Sequence, residues 1–301
     1  MYGTMSSFVK LSYSWGYNAA EISFAQAALA AIFLGTYTLV TGKSIQGKIT
    51  RKDLLPLILT GSAIGVTNYL YYQSVSYISA SLAIVILMQF TWFSLFLEWI
   101  IFAKKTSRIE LLTVFFILIG TVMAGNLFDS KAWSFSLKGI LLALFASLTY
   151  AIYIVGANRP LLKNIATLKL TFYVLLFGMT LFLVRIDFGR SLHIVHDWYL
   201  WGNLIALAIF PTAISFLCTT LAVQYIGSTP TAILGALEPL TAVFFGVTVF
   251  GESLTLRLCC GIILIILAVT LIIAGSNVTS HLVRFRKLFP RLPLKKKNAK
   301  S

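Results

Sequence analysis

A carboxylate followed by a proline, Glu238-Pro239, lies about ten residues into an apolar run of the chain. Ionisable groups at that depth are expensive to bury and functional by default. Such a carboxylate can bind a proton, pair with a substrate amine or hydrogen-bond a neighbouring helix. Pro239 lacks an N–H and disturbs the preceding turn, which frees a carbonyl at the same level. Gln89 occupies the matching depth of an earlier apolar run. Asn68, with Tyr69, Tyr71, Tyr72 and Gln73 around it, clusters near the end of another, and Tyr150 and Tyr153 near the end of a fourth. Asn68 is deep enough to line a pathway, whereas most tyrosines at span ends read first as interfacial belt residues; Tyr72 and Tyr150 stand with Glu238, Gln89, Asn68 and Lys10 as candidates for the substrate or coupling site. Lys10 either snorkels to the interface or faces inward, where it would attract a carboxylate or phosphate. Thr4, Ser6 and Ser7 can bond a substrate, a neighbouring helix or their own backbone.

Other chemistries find little support. No GxxxxGK[ST] phosphate loop, no HExxH and no GxSxG with a partner histidine inside an apolar run occurs. His193, His196 and Asp197 make a poor zinc set in a connecting loop, and Cys259-Cys260 point to different faces of a helix. No metal, cofactor or enzymatic centre is expected.

The elements that must carry these residues follow from composition. The chain has 301 residues, of which 58% are hydrophobic and 11% charged. Its mean hydropathy is +0.89. A soluble domain is about a quarter charged, and a globule of this length cannot hide so much apolar surface from water. An all-α membrane protein is expected. Spans fall at residues 22–41, 54–75, 79–102, 109–127, 137–155, 168–184, 201–223, 229–250 and 254–274, with a short tenth near residues 1–15.

The formal charge of +15 is a topology signal. Eighteen of the 24 Lys and Arg fall in alternate connections and the tail: Lys43, Lys48, Arg51 and Lys52; Lys104, Lys105 and Arg108; Arg159, Lys163 and Lys169; and eight between Arg284 and Lys300. That side, with the C-terminus, is expected in the cytoplasm of a multi-pass protein of the cell membrane, and nucleic-acid binding is not expected. The tail interleaves Leu282, Phe285, Leu288, Phe289 and Leu292 with its basic residues, a pattern for docking on anionic lipid.

The chain also repeats itself at an offset of 148–149. Ser76-Tyr77-Ile78-Ser79 falls on Gln224-Tyr225-Ile226-Gly227, Met88-Gln89-Phe90 on Leu237-Glu238-Pro239, Arg108 on Arg257 and Tyr2-Gly3 on Tyr150-Ala151. Five spans per half is an odd number, so the halves insert with opposite orientation. Inverted repeats of this kind rock about a shared midplane site in secondary transporters. The expected organisation is a first repeat over residues 1–127, an external linker 128–136, a second repeat 137–275 and a basic tail 276–301. Residues 137–149 have no first-half counterpart, so helix 1 reads as short, and a start upstream of Met1 is the expected reason.

Four stretches resemble the EamA-type transporters of the drug/metabolite transporter superfamily. They are residues 2–10, with an aromatic-Gly, small polar residues and Lys10; residues 83–97, like helix 4; residues 232–240, with Glu238-Pro239, like helix 9; and Phe250-Gly251-Glu252 followed by Gly261 and Ala274-Gly275, like the Gly-Glu turn and helix 10. Three departures stand out: Gln89-Phe90 replaces a helix 4 proline pair, Phe102-Ala103 replaces the first Gly-Glu turn, and Gln26 replaces a frequent helix 2 arginine. The resemblance implies ten helices in two inverted five-helix repeats. It also implies secondary-active transport, with export of a small organic metabolite such as an amino acid, driven by protons or exchange. An intramembrane enzyme, or a channel or scaffold, is the alternative class; oligomeric state is left open. Glu98, near Lys104, Lys105 and Arg108, is expected in an interfacial ion pair, and Glu252 as a cap or a partner of Arg257. Gly61-Ser62-Ala63-Ile64-Gly65 is expected to pack a helix closely.

Overall fold

The computed structural model describes residues 5–41, 51–78, 80–103, 107–124, 136–163, 165–183, 198–235, 237–238, 241, 256–257, 259–268 and 270–271. Among these residues every regular element is helical. In chain order they are α1 (Met5–Ser14), α2 (Ala19–Thr41), α3 (Arg51–Val75), α4 (Ala80–Leu87), α5 (Phe90–Phe102), α6 (Arg108–Ala124), α7 (Leu137–Ala157), α8 (Pro160–Lys163), α9 (Thr167–Leu183), α10 (Trp198–Leu207), a π segment (Ala208–Ile214), α11 (Ser215–Ile226) and α12 (Ser228–Gly235). A further apolar helix, α13, covers Cys259–Ala268. The stretches Ala19–Thr38, Arg51–Val75, Leu137–Ala157 and Trp201–Ile226 are long and apolar enough to cross a membrane.

Local chemistry sets several boundaries. Asn18 caps α2: its Oδ1 accepts from the N–H groups of Ala20 and Glu21, while Glu21 Oε2 accepts from the Asn18 N–H, each at 2.9 Å. Ser107 and Glu110 form the same reciprocal box at the start of α6. The Ser136 side chain caps α7 by accepting from Gly139 N. Ala103, at φ 49°, ends α5 in the left-handed region.

Two spans read as continuous are interrupted. The 79–102 span breaks at Met88–Gln89 into α4 and α5. The 201–223 span holds the π segment, and Pro211 supplies the cause. With no N–H, Pro211 cannot bond the Leu207 carbonyl four residues back; the Thr212 hydroxyl donates to that carbonyl instead, at 2.7 Å.

Packing runs between the two halves of the sequence. α3 lies against α7 and α9, α2 against α9 and the π segment, α5 against α7 and α12, and α1 against α10. Asn203 on α10 donates from Nδ2 to the Ser12 hydroxyl (2.8 Å) and to the Phe8 carbonyl (3.1 Å) on α1. Thr67 on α3 and Thr149 on α7 share a hydroxyl–hydroxyl bond at 2.8 Å. Large apolar side chains such as Ile32, Trp99, Leu111, Phe115 and Ile119 face outward, as a lipid-bathed perimeter requires. Trp92 and Trp99 both belong to that perimeter.

Pro239, Glu252, the His193, His196 and Asp197 group, the linker before Ser136 and the tail 276–301 lie outside the described residues. So does the side chain of Lys10, whose backbone belongs to α1.

Candidate functional site

An aromatic wall runs through the interior from α5 across α7 to α11. Phe90 meets Tyr150 edge to face with ring centres 4.6 Å apart. Tyr150 stacks on Tyr153 at 5.9 Å, and Tyr153 meets Phe216 edge to face at 5.7 Å. All four are essentially excluded from solvent. The Tyr153 and Thr220 hydroxyls, 3.1 Å apart, share a hydrogen bond that extends the wall along α11.

Glu238 stands at the near end of this wall. Gly235, one turn before it, presents its bare Cα to the Phe90 ring. A Cβ there would lie 2.9 Å from Phe90 Cζ and 3.9 Å from Glu238 Oε1. The missing side chain brings α12 against α5 and sets the carboxylate beside Phe90. Glu238 Oε2 is buried and has no hydrogen-bond partner among the described residues. Buried polar atoms are almost always satisfied, so an unsatisfied carboxylate oxygen in an interior makes Glu238 the leading candidate contact for a bound group.

A second polar group ties α1, α2 and α3 together. The Tyr13 hydroxyl donates to the Tyr72 carbonyl at 2.7 Å, and the Tyr72 hydroxyl donates to Gln26 Oε1. Gln26 Nε2 is buried without a described partner, as is Ser147 Oγ on α7. Tyr72→Phe removes the donor described for Gln26 Oε1 and should lower stability by about 1–2 kcal/mol, a few degrees in thermal unfolding in detergent. An unchanged melting temperature would show that the pair is not a structural tie.

Comparison with known proteins identifies the architecture. The EamA-like transporter family matches the sequence over residues 1–125 and 137–274. The chain belongs to the EamA-like transporter family. Its members are membrane transporters, and this chain is one. An uncharacterized transporter of Archaeoglobus fulgidus is 34% identical over 119 residues, covering 39% of this chain and 41% of that protein. Another, of Clostridium kluyveri, is 24% identical over 230 residues, covering 73% and 72%. A solved crystal structure superposes with a TM-score of 0.73 over 92% of this chain and 97% of its own, at 12% identity, and so shares the fold.

Within this transporter fold the expected site residues separate. Glu238 and Tyr150 join one wall through Phe90. Tyr72 and Tyr150 are buried rather than belt residues, because the faces of α3 and α7 that carry them turn into the bundle. Asn68 is buried on α3, one turn from Tyr72. Gln89 takes another course: at the α4–α5 break its Oε1 accepts from the Trp92 indole at 2.8 Å, so it serves the perimeter. Glu98 is expected in an interfacial ion pair whose lysines, Lys104 and Lys105, lie outside the described residues. It is buried, and its carboxylate accepts hydroxyl bonds from Ser228 and Thr229. The sequence marked Tyr153 only as a span-end tyrosine and Phe90 only as a departure from a proline pair, and gave no sign of Phe216 and Thr220. Residues of these types are common in apolar spans, and only the packing of α5, α7 and α11 aligns them.

Proposed function

We propose that this transporter is secondary-active and works by alternating access, with ten helices arranged as two inverted five-helix repeats, residues 1–127 and 137–275. Its cargo is a small organic metabolite, an amino acid or related amine-bearing compound, moved outward across the cell membrane. The carrying observation is the buried, unpartnered Oε2 of Glu238 beside the aromatic wall. A carboxylate there offers one charged contact to a substrate ammonium or a proton, and the flat rings offer an apolar face and cation–π contact. The same carboxylate, alternately taking up and releasing a proton, provides the coupling. Pro239, immediately after it, supplies the helix break at the site. Asn68, Tyr72, Tyr150 and Lys10 are assigned to the substrate path. Gln89, the repeat mate of Glu238, is assigned there as well, its indole bond then exchanging during the cycle. The family match in two blocks and the contacts of α3 and α5 with α7, α9 and α12 across the sequence halves support this reading. The basic connections favour a cytoplasmic C-terminus whose tail rests on anionic lipid.

The test compares metabolites released into the medium by cells expressing the chain with those released by cells carrying an empty vector. A compound enriched only by the chain is expected, and saturable counterflow of that compound in liposomes should follow. Equal profiles, with the protein present in the membrane and supplied with amino acids, would overturn the exporter reading.

A further inference from the structure

Glu98 on α5 belongs to the first half of the sequence, yet the partners described for it lie in the second. The Ser228 hydroxyl donates to Oε1 and the Thr229 hydroxyl to Oε2, both from the first turn of α12. Asn158, just past the end of α7, reaches the same group: its Nδ2 lies 3.4 Å from Glu98 Oε1 and 3.0 Å from Ser228 Oγ. Glu98, Ser228 and Thr229 are all buried. Both carboxylate oxygens are therefore engaged, across the junction of the two halves, by charge-assisted bonds in a dry setting, where such bonds are strongest.

Position gives the cluster its meaning. It gathers at the C-terminal ends of α5 and α7 and at the N-terminal end of α12. Those ends adjoin the connections with Lys104, Lys105, Arg159 and Lys163, which the charge distribution assigns to the cytoplasm. Tyr153, on the aromatic wall, is five residues deeper along α7 than Asn158, about 8 Å at helical rise. A path from the wall to the cytoplasm would have to pass between α5, α7 and α12, which Glu98 ties together.

The repeat supplies a contrast. At the offset of 148–149, Glu98 falls on Val247, Asn158 on Lys10, Ser228 on Ala80 and Thr229 on Ser81. The equivalent positions at the opposite end contain no carboxylate.

We infer that Glu98 is a latch: its bonds to Ser228, Thr229 and Asn158 hold the cytoplasmic end closed and bias the resting transporter towards opening at the opposite face. The inference rests on the alternating-access reading for its second clause only. A ligand shifts such an equilibrium by its differential affinity for the two states, so the latch sets the threshold that bound substrate must overcome.

The experiment uses the full chain with Cys218, Cys259 and Cys260 replaced by alanine and one reporter cysteine at a time. Thr220→Cys reports the cytoplasmic side, since Thr220 is buried against Tyr153 behind the latch. Ser147→Cys, buried at the middle of α7 and farther along it from the latch than Tyr153, reports the opposite side. A membrane-impermeant maleimide is applied to inside-out and right-side-out vesicles. Glu98→Ala should raise the labelling rate of Thr220→Cys from the cytoplasmic face at least about tenfold and lower that of Ser147→Cys from the outside. The double change Ser228→Ala with Thr229→Val removes the hydroxyl donors and should act in the same direction. It also stands in should Glu98→Ala fail to elute as a monodisperse protein. Unchanged cytoplasmic labelling in a folded variant overturns the latch. A rise inside without a fall outside keeps the latch and overturns alternating access.

Discussion

Glu238→Gln should leave the helical bundle as stable as the parent, or slightly more so, and reduce proton-linked flux at least about tenfold. The two halves of this expectation have separate causes. Stability is retained because no described hydrogen bond is lost: Oε2 has no described partner, and the amide has nearly the same shape. An unsatisfied carboxyl in an apolar interior is a cost to the fold, and a neutral amide costs less to bury. Flux falls because an amide can neither take up a proton nor pair by charge with a substrate ammonium, and the Phe90 ring near it carries no titratable group to replace the carboxylate. The residual flux should also lose its dependence on pH. Counterflow in liposomes over a pH series, paired with thermal unfolding of the same preparation, checks both halves. Normal flux with unchanged pH dependence would remove Glu238 from the coupling step. A large drop in melting temperature would reassign it to helix packing.

Glu238 was legible in the sequence because a carboxylate deep in an apolar run is rare and its cost is visible without coordinates. The spans 22–41, 54–75, 137–155 and 201–223 were legible for a related reason: hydropathy is a local property, and each overlaps a long apolar helix of the structure. Direction was not. A helix apolar on every face shows no stripe to say which side turns inward, so span-end tyrosines read first as interfacial, and only the bundle shows that the candidates Tyr72 and Tyr150 are both buried. Glu98 concealed its hydroxyl partners for a different reason. Its neighbours in sequence are Lys104, Lys105 and Arg108, whereas Ser228 and Thr229 are about 130 residues away and meet it only through packing of α5 on α12. The break at Met88–Gln89 carries no proline or glycine to announce it, while the π segment has Pro211 within it. Gln26 registered as a departure from a family pattern, and its bond from Tyr72 emerged only when α2 and α3 were placed together.

Gly65→Val should give the largest loss of stability of any single change considered, more than about 3 kcal/mol. A Cβ at Gly65 would lie 2.5 Å from the Gly178 carbonyl oxygen and 2.9 Å from Gly178 Cα. One turn earlier, a Cβ at Gly61 would lie 2.7 Å from Phe177 Cβ and 2.8 Å from the Val174 carbonyl oxygen. Most of these obstacles are backbone atoms of α9, which no rotamer change can move. Relief would require α3 and α9 to separate along the seam. In lipid no hydrophobic force draws two helices together, so association rests on the close backbone contact that small residues permit, and the seam cannot be widened cheaply. Because α3 belongs to the first half and α9 to the second, the same contact joins the two bodies that alternating access requires to rock; in that reading it is the pivot. Gly202→Ala on α10 is the matched control. A Cβ there meets nothing within 4 Å, so the change should be neutral or stabilising by up to about 1 kcal/mol through helix propensity. Thermal unfolding in detergent should therefore place the two glycine variants on opposite sides of the parent or nearly so. A Gly65→Val protein that melts with the parent would mean that the α3–α9 seam yields without cost, and the pivot would have to be sought at another seam between the halves, such as α3 on α7, where Thr67 bonds Thr149.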